Sequence, residues 1–326
     1  MSGAWRIVAP RTGGPEVLER EDIALPVPGP GEARVRHEAV GVNFIDTYHR
    51  GGLYPLPLPT GLGTEAAGIV EAVGEGADPA WVGRRVAYVA QAPGTYATHG
   101  LAPVARLFPL PDAVSAETAA ALLLKGLTAW MLVERCARVQ PGQSVLVHAA
   151  AGGVGSVLVP WLKAAGATVI AHAGSAAKAA RARDSGADHA LHLPFDQLAG
   201  EVRALTGGRG VDAVLDGVGA DSWAASLASV AKRGILVTYG NASGPVPAIS
   251  PLDLLRVGSI FLIRPTLFDY IETADDRRAG GERLFGLIAG GTIRADIGQR
   301  FALAAAADAH RALEARTTTG STILIP

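Results

Sequence analysis

The sequence predicts an α/β fold of two modules, a doubly wound parallel sheet joined to a mostly β module. Its 326 residues exceed the size at which single cores stop growing, which favours two domains. The first 110 residues are rich in Val, Gly and Pro, with short apolar runs at 66–73 and 85–89 and turn signals at Gly29-Pro30-Gly31 and Pro93-Gly94. That is the pattern of a compact β module. From Ser144 onward, apolar strands alternate with helical stretches, and such alternation builds a parallel sheet with crossover helices.

Taken in order, strands are expected at 144–149, 168–171, 189–193, 211–215 and 235–239. Helices fill the gaps. The helix at 154–165 contains Pro160, which lacks an N–H and costs roughly 3 kcal/mol in a helix interior, so a kink is expected. A second helix runs from an N-cap at Ser175 to a stop at Gly186, and a third from Asp221 to a stop at Gly234. An apolar run at 259–263, helices around 283–289 and 304–315, and a strand at 321–325 complete the chain.

Composition narrows the function. Charged residues are 18% and apolar residues 49% of the chain, which excludes disorder. Twenty-nine basic and thirty acidic residues nearly cancel, with no basic run, so nucleic acid is a poor partner. The N-terminal segment lacks the apolar stretch of a secretory signal, and a cytoplasmic protein is expected. Residues 143–162 are uncharged and long enough to span a bilayer, but His148, Gly152, Gly153, Gly155 and Pro160 make a strand, turn and helix the better reading. Cys136 is the single cysteine, which excludes an internal disulfide and any zinc site built on two or more thiolates.

The strongest motif is the glycine turn Gly152, Gly153, Val154, Gly155 between the first of these strands and its helix. Glycine there lets backbone approach a pyrophosphate, whose charge meets the free N–H groups and dipole of the helix start. In NAD-binding folds the next strand ends in an acidic residue that holds a ribose hydroxyl. Here no acidic residue stands between Ala149 and Arg183, and the strand is followed by His172, Gly174, Ser175 and Lys178. Ser175 at a helix start, with Lys178 one turn in, suits a 2′-phosphate, so the expected cofactor is NADPH.

The segments VGVNFIDTYHRGGLYP, GLGTEAAGIVEAVG, LLLKGLTAW, HAAAGGVG, TYGNASG and LEARTTTGSTILIP, extending from residue 41 to the C-terminus, resemble those of zinc-independent quinone oxidoreductases. These are relatives of zeta-crystallin within the medium-chain dehydrogenase/reductase superfamily. The resemblance implies a Rossmann-type NADPH-binding domain over 126–267 and a GroES-like catalytic domain made of 1–125 and 268–326. Zinc enzymes of the superfamily carry a Cys and a His ligand at the positions of Asn43 and Thr64, neither of which suits catalytic zinc. The closest histidine pair, His189 and His192, faces opposite sides of a strand. No metal is expected.

Without a Lewis acid, the expected reaction is hydride transfer from NADPH to a small quinone. Asn43 and Tyr48 are the candidate donors to its oxygen, and Tyr54 is a candidate aromatic wall. The resemblance places these three beside the nicotinamide. It places Thr128, Tyr239, Gly240, Asn241 and Ser243 along that half of the cofactor, with Arg264 and Arg316 approaching it. His192 and Leu193 stand where many relatives have an Asn-Tyr or Asn-His pair, which leaves His192 as the candidate phosphate contact. The rival activity is reduction of an enone or alkenal double bond. A remoter one is a non-catalytic NADPH-binding protein with a structural or RNA-binding role. The β-prone run at 259–263 would leave an exposed apolar edge, so a homodimer is expected.

Overall fold

A computed structural model describes residues 3–326. Two units emerge: one holds the chain up to Lys125 with Thr273–Phe285 and Ala295–Pro326, the other Gly126–Glu272 with Gly286–Arg294. The sequence reading returns the chain to the first module at residue 268. In the structure Leu267, Ile271 and Ile293 are buried apolar anchors that stay with the second unit.

In the first unit, the long strand Glu32–Val42 alternates half-buried and buried positions along its first half, the period-2 signature of a sheet with one covered face. It pairs with Glu65–Val73, His99–Pro103 and the C-terminal strand Ser321–Ile325. Ile7, Val35, Val40, Leu62, Val70, Val86, Tyr96, Leu303 and Leu324 form its core.

The second unit's sheet is ordered His189–Leu191, Thr168–His172, Ser144–Val147, Val211–Asp216, Val230–Thr238, Phe261–Ile263, and every pairing within it is parallel. Ser144–Val147, reading SVLV, is wholly buried, as a strand covered on both faces should be. The chain moves outward from it, then resumes on its other side at Val211–Asp216, which makes a topological switch point. Helix Gly155–Ala164 runs through Pro160, and Ser175 caps Ala176–Asp184 by accepting the Lys178 N–H. Residues 143–162 are thus the strand, turn and helix expected of them.

Two expectations are corrected. The helix expected at 221–234 ends at Ser229, because Val230 and Ala231 are buried and already belong to the next strand, with Val230 opposite Val211. Helix Ala116–Trp130, continued by a π-helical turn over Met131–Cys136, has no counterpart in the sequence reading. Between Ala116 and Trp130 its only charges are Glu117 and the buried Lys125, and 83% of its most apolar window is buried inside the protein. This is a buried core helix.

Candidate functional site

The glycine turn is built by close backbone approach. A Cβ on Gly155 would lie 2.3 Å from the Ala149 carbonyl oxygen and 2.6 Å from Ala150 Cα, so only glycine lets the helix begin against the strand end. Ala149 sits at φ 49°, a left-handed backbone that is uncommon for a residue with a Cβ. The turn closes with Gly152 N donating to Ala149 O at 2.8 Å. Beyond it the helix begins, with Ser156 N donating to Gly152 O at 2.8 Å.

The neighbouring strand ends at His172 without a carboxylate, and half-buried Ser175 and Lys178 follow on the first turn of the next helix. His192 emerges alongside, its Nδ1 3.2 Å from Ala173 O. These residues fit a dinucleotide carrying a 2′-phosphate.

Tyr239, Gly240, Asn241 and Ser243 occupy one loop, interlocked with the turn after Asp216. Tyr239 N donates to Asp216 O at 2.8 Å, Ser243 N to Val218 O at 2.8 Å, and Ala220 N to Gly244 O at 3.1 Å. A Cβ on Gly240 would meet Gly217 O at 2.3 Å. The buried Asp216 carboxylate ties this turn down through Val218 N, Ser222 Oγ and Ser226 Oγ. Ser226 donates to Asp216 and therefore accepts from His148 Nε2 at 2.8 Å. Thr128 is half-buried on the long apolar helix, and Arg264, next to the edge strand Phe261–Ile263, is exposed.

In the first unit, helix Phe44–Gly51 starts at Asn43, whose backbone N–H donates to Asp46 Oδ2. Tyr48 and Tyr54, both half-buried, meet edge to face with ring centroids 5.3 Å apart. Asp46 and Arg50 lie on the same helix, one turn apart and buried. Asp46 accepts Thr64 Oγ1–H at 2.8 Å and Tyr96 O–H at 3.0 Å. Arg50 donates to His310 Nδ1 and to Glu314, which leaves the His310 proton on Nε2, facing Tyr96 Oη at 3.0 Å. Every proton of this chain points toward Asp46. Burial raises the Asp46 carboxyl to about 6 and lowers His310 to about 3, with the Arg50 charge helping.

Beside this chain lies a second buried group. Glu65, fully buried, accepts from Asn43 Nδ2 at 2.8 Å, Leu124 N at 2.7 Å and Lys125 Nζ at 3.1 Å. The Asn43 amide, a candidate donor to the substrate oxygen, thus commits one N–H to Glu65. Arg316 is exposed and left-handed at φ 57° after helix Ala306–Glu314.

Sequence reasoning missed Asp46, Arg50, Glu65, Tyr96, Lys125, Asp216 and His310. One signal was available. Lys125 interrupts an apolar helical run, and a charge there is tolerated only with a partner.

Residues 153–272 match the model of zinc-binding dehydrogenases, and residues 29–112 that of the alcohol dehydrogenase GroES-like domain. The chain is 48% identical over 324 residues to a quinone oxidoreductase of Pseudomonas aeruginosa, covering 99% of this chain and 100% of the relative. It is 39% identical over 324 residues to a 2-haloacrylate reductase of a Burkholderia species, covering 97% of each. The solved structure of Escherichia coli quinone oxidoreductase complexed with NADPH matches with TM-score 0.96 at 42% identity, covering 99% of this chain and 100% of that one.

The first family name implies zinc, but the donor set does not fit it. Asn43 turns an N–H toward Glu65, Thr64 donates to Asp46, and an ammonium already faces Glu65. Among the described residues no three His, Cys, Asp or Glu side chains gather to hold a metal. With both domain models matched in order and full-length relatives of this identity, the chain belongs to the zinc-independent quinone oxidoreductases of the medium-chain dehydrogenase/reductase superfamily.

Proposed function

We propose that this protein is an NADPH-dependent quinone oxidoreductase, and the observation that carries the reading is the carboxylate-free strand end at His172 followed by the Ser175-capped helix bearing Lys178. Bound NADPH supplies hydride to the quinone. The Rossmann-type domain of 126–267 is the cofactor domain, with Gly152, Gly153, Val154 and Gly155 at the pyrophosphate, Ser175, Lys178 and His192 at the 2′-phosphate, and Thr128, Tyr239, Gly240, Asn241 and Ser243 toward the nicotinamide. Arg264 and Arg316 are assigned to the cofactor as well. The GroES-like domain of 1–125 and 268–326 supplies Asn43, Tyr48 and Tyr54 to the substrate.

A panel of quinones and conjugated alkenes with NADPH tests the activity. Quinones are expected to be the faster substrates, and a faster haloacrylate or enone would favour double-bond reduction, which the Burkholderia relative supports. Lys178→Ala is expected to raise the KM for NADPH about tenfold while hardly changing that for NADH, since a surface charge pair is worth roughly 1–2 kcal/mol after desolvation. Equal losses for both cofactors would show that Lys178 does not read the phosphate.

The expected dimer is supported by the edge strand Phe261–Ile263 and the helix Pro251–Gly258 near it, where Phe261, Leu252 and Leu255 are 65%, 56% and 65% exposed. Light scattering at micromolar concentration should give twice the chain mass of 33.4 kDa. A monomer would refute the pairing. The cytoplasm is the proposed location.

A further inference from the structure

Lys125 is the only lysine of the first unit, and it is buried, with 4% of its surface exposed. An ammonium carries three N–H donors. Among the described residues, Glu65 Oε1 is the acceptor for one of them, and the same oxygen takes the Asn43 amide N–H. Among the described residues the other two donors have no protein acceptor. Glu65 is also satisfied by Leu124 N, so this carboxylate is not short of hydrogen bonds. A buried cation with unused donors, sharing one oxygen with a candidate substrate residue, is placed as an electrostatic group rather than as a structural pair alone.

We propose that Lys125 is a catalytic residue whose ammonium, held by Glu65 beside Asn43, stabilises the negative charge that develops on the acceptor oxygen of the substrate. This rests on the quinone-reductase reading. The quinone gains two electrons and one proton as hydride, NADPH is oxidised to NADP+, and one quinone oxygen is left anionic. A proton from solvent then completes the quinol. Lys125 keeps its own protons throughout and acts by charge and hydrogen bonding, which in a dry site lower the barrier most when they are in place beforehand.

Removing Lys125 alone would strand a buried carboxylate, and removing Glu65 alone a buried ammonium, so the test uses the neutral pair E65Q/K125M. If Lys125 only balanced Glu65, the neutral pair would work as well as the unmodified enzyme. E65Q/K125M is instead expected to bind NADPH normally, by cofactor fluorescence, while its kcat for quinone falls about 30-fold. Should the methionine variant not accumulate, E65Q/K125Q, whose two amides can pair, is expected to show the same loss.

A readout independent of turnover is 4-nitrophenol added to the NADP+ complex. Its yellow phenolate should bind about tenfold more tightly than the neutral phenol, as one nearby charge implies, and the neutral pair should abolish the preference. A neutral-pair enzyme within about threefold of the unmodified kcat would overturn the assignment. If the unmodified protein fails to reduce quinones, the functional reading falls first, and the phenolate preference then decides Lys125 by itself.

Discussion

Lowering the pH from 7 toward 4 is expected to unfold the protein cooperatively, with the fluorescence of its five tryptophans reporting the loss. Four imidazoles are buried, those of His37, His148, His172 and His310, and burial lowers all four; three of them carry the largest shifts. Burial lowers His37 and His148 to about 4 and His310 to about 3. His37 is locked in neutral form: Nδ1–H donates to Ala97 O at 2.7 Å, and Nε2 accepts Tyr88 O–H at 2.8 Å. Protonating Nε2 would set donor against donor.

A histidine with a depressed native pKa binds fewer protons folded than unfolded. Its contribution is complete above 6.5 and is lost as pH falls toward the native value. Asp46 runs the other way: its native pKa of about 6 lies above the unfolded value, so its contribution is present below 3.8 and is lost as pH rises through 6. On acidification Asp46 returns about 3 kcal/mol, while the three histidines together remove more, leaving a net loss on the order of 5–10 kcal/mol. That equals the stability of many domains. A Tm at pH 4.5 within about 5 °C of that at pH 7 would contradict this account, since one kcal/mol already moves Tm by a few degrees.

Gly155→Ala is expected to lower kcat/KM for NADPH about 100-fold. The added methyl would stand 2.3 Å from Ala149 O and 2.6 Å from Ala150 Cα. Both are backbone atoms, with no flexible side chain to turn aside. Ordinary contact requires the helix start or the strand end to shift by about 1 Å, a misplacement that commonly costs about 100-fold. The strain should also remove about 1–3 kcal/mol of stability. Denaturant melts and NADPH titration separate the two effects: an Ala variant that binds NADPH normally would show that the turn does not hold the pyrophosphate.

The contrast between Gly155 and Lys125 shows what a sequence of this kind discloses. The glycine turn, its flanking strand and the Ser175 cap are local patterns, set by residues within a dozen positions of one another. They are legible because backbone geometry constrains residue type directly. The Asp46 chain joins residues 18, 50 and 264 positions apart, and no periodicity records which carboxylate meets which hydroxyl. The long helix Ala116–Trp130 escaped because burial all round erases the amphipathic stripe that marks a surface helix. The helix beginning at Trp223 was overextended for a related reason: Val230 and Ala231 suit either state, and only pairing with Val211 decides for the strand.

The buried charges of the first unit carry a thermal consequence. Lys125 with Glu65, and Arg50 of the Arg50–Glu314 pair, were withdrawn from water at a cost set by ionic hydration. That hydration weakens on warming because it is entropically unfavourable, so the desolvation penalty shrinks while hydrophobic stabilisation levels off. The polar interior of this unit is therefore comparatively better tolerated in heat than in cold. Warming moves the balance toward the ion pairs at the same time as it strains the apolar packing around them.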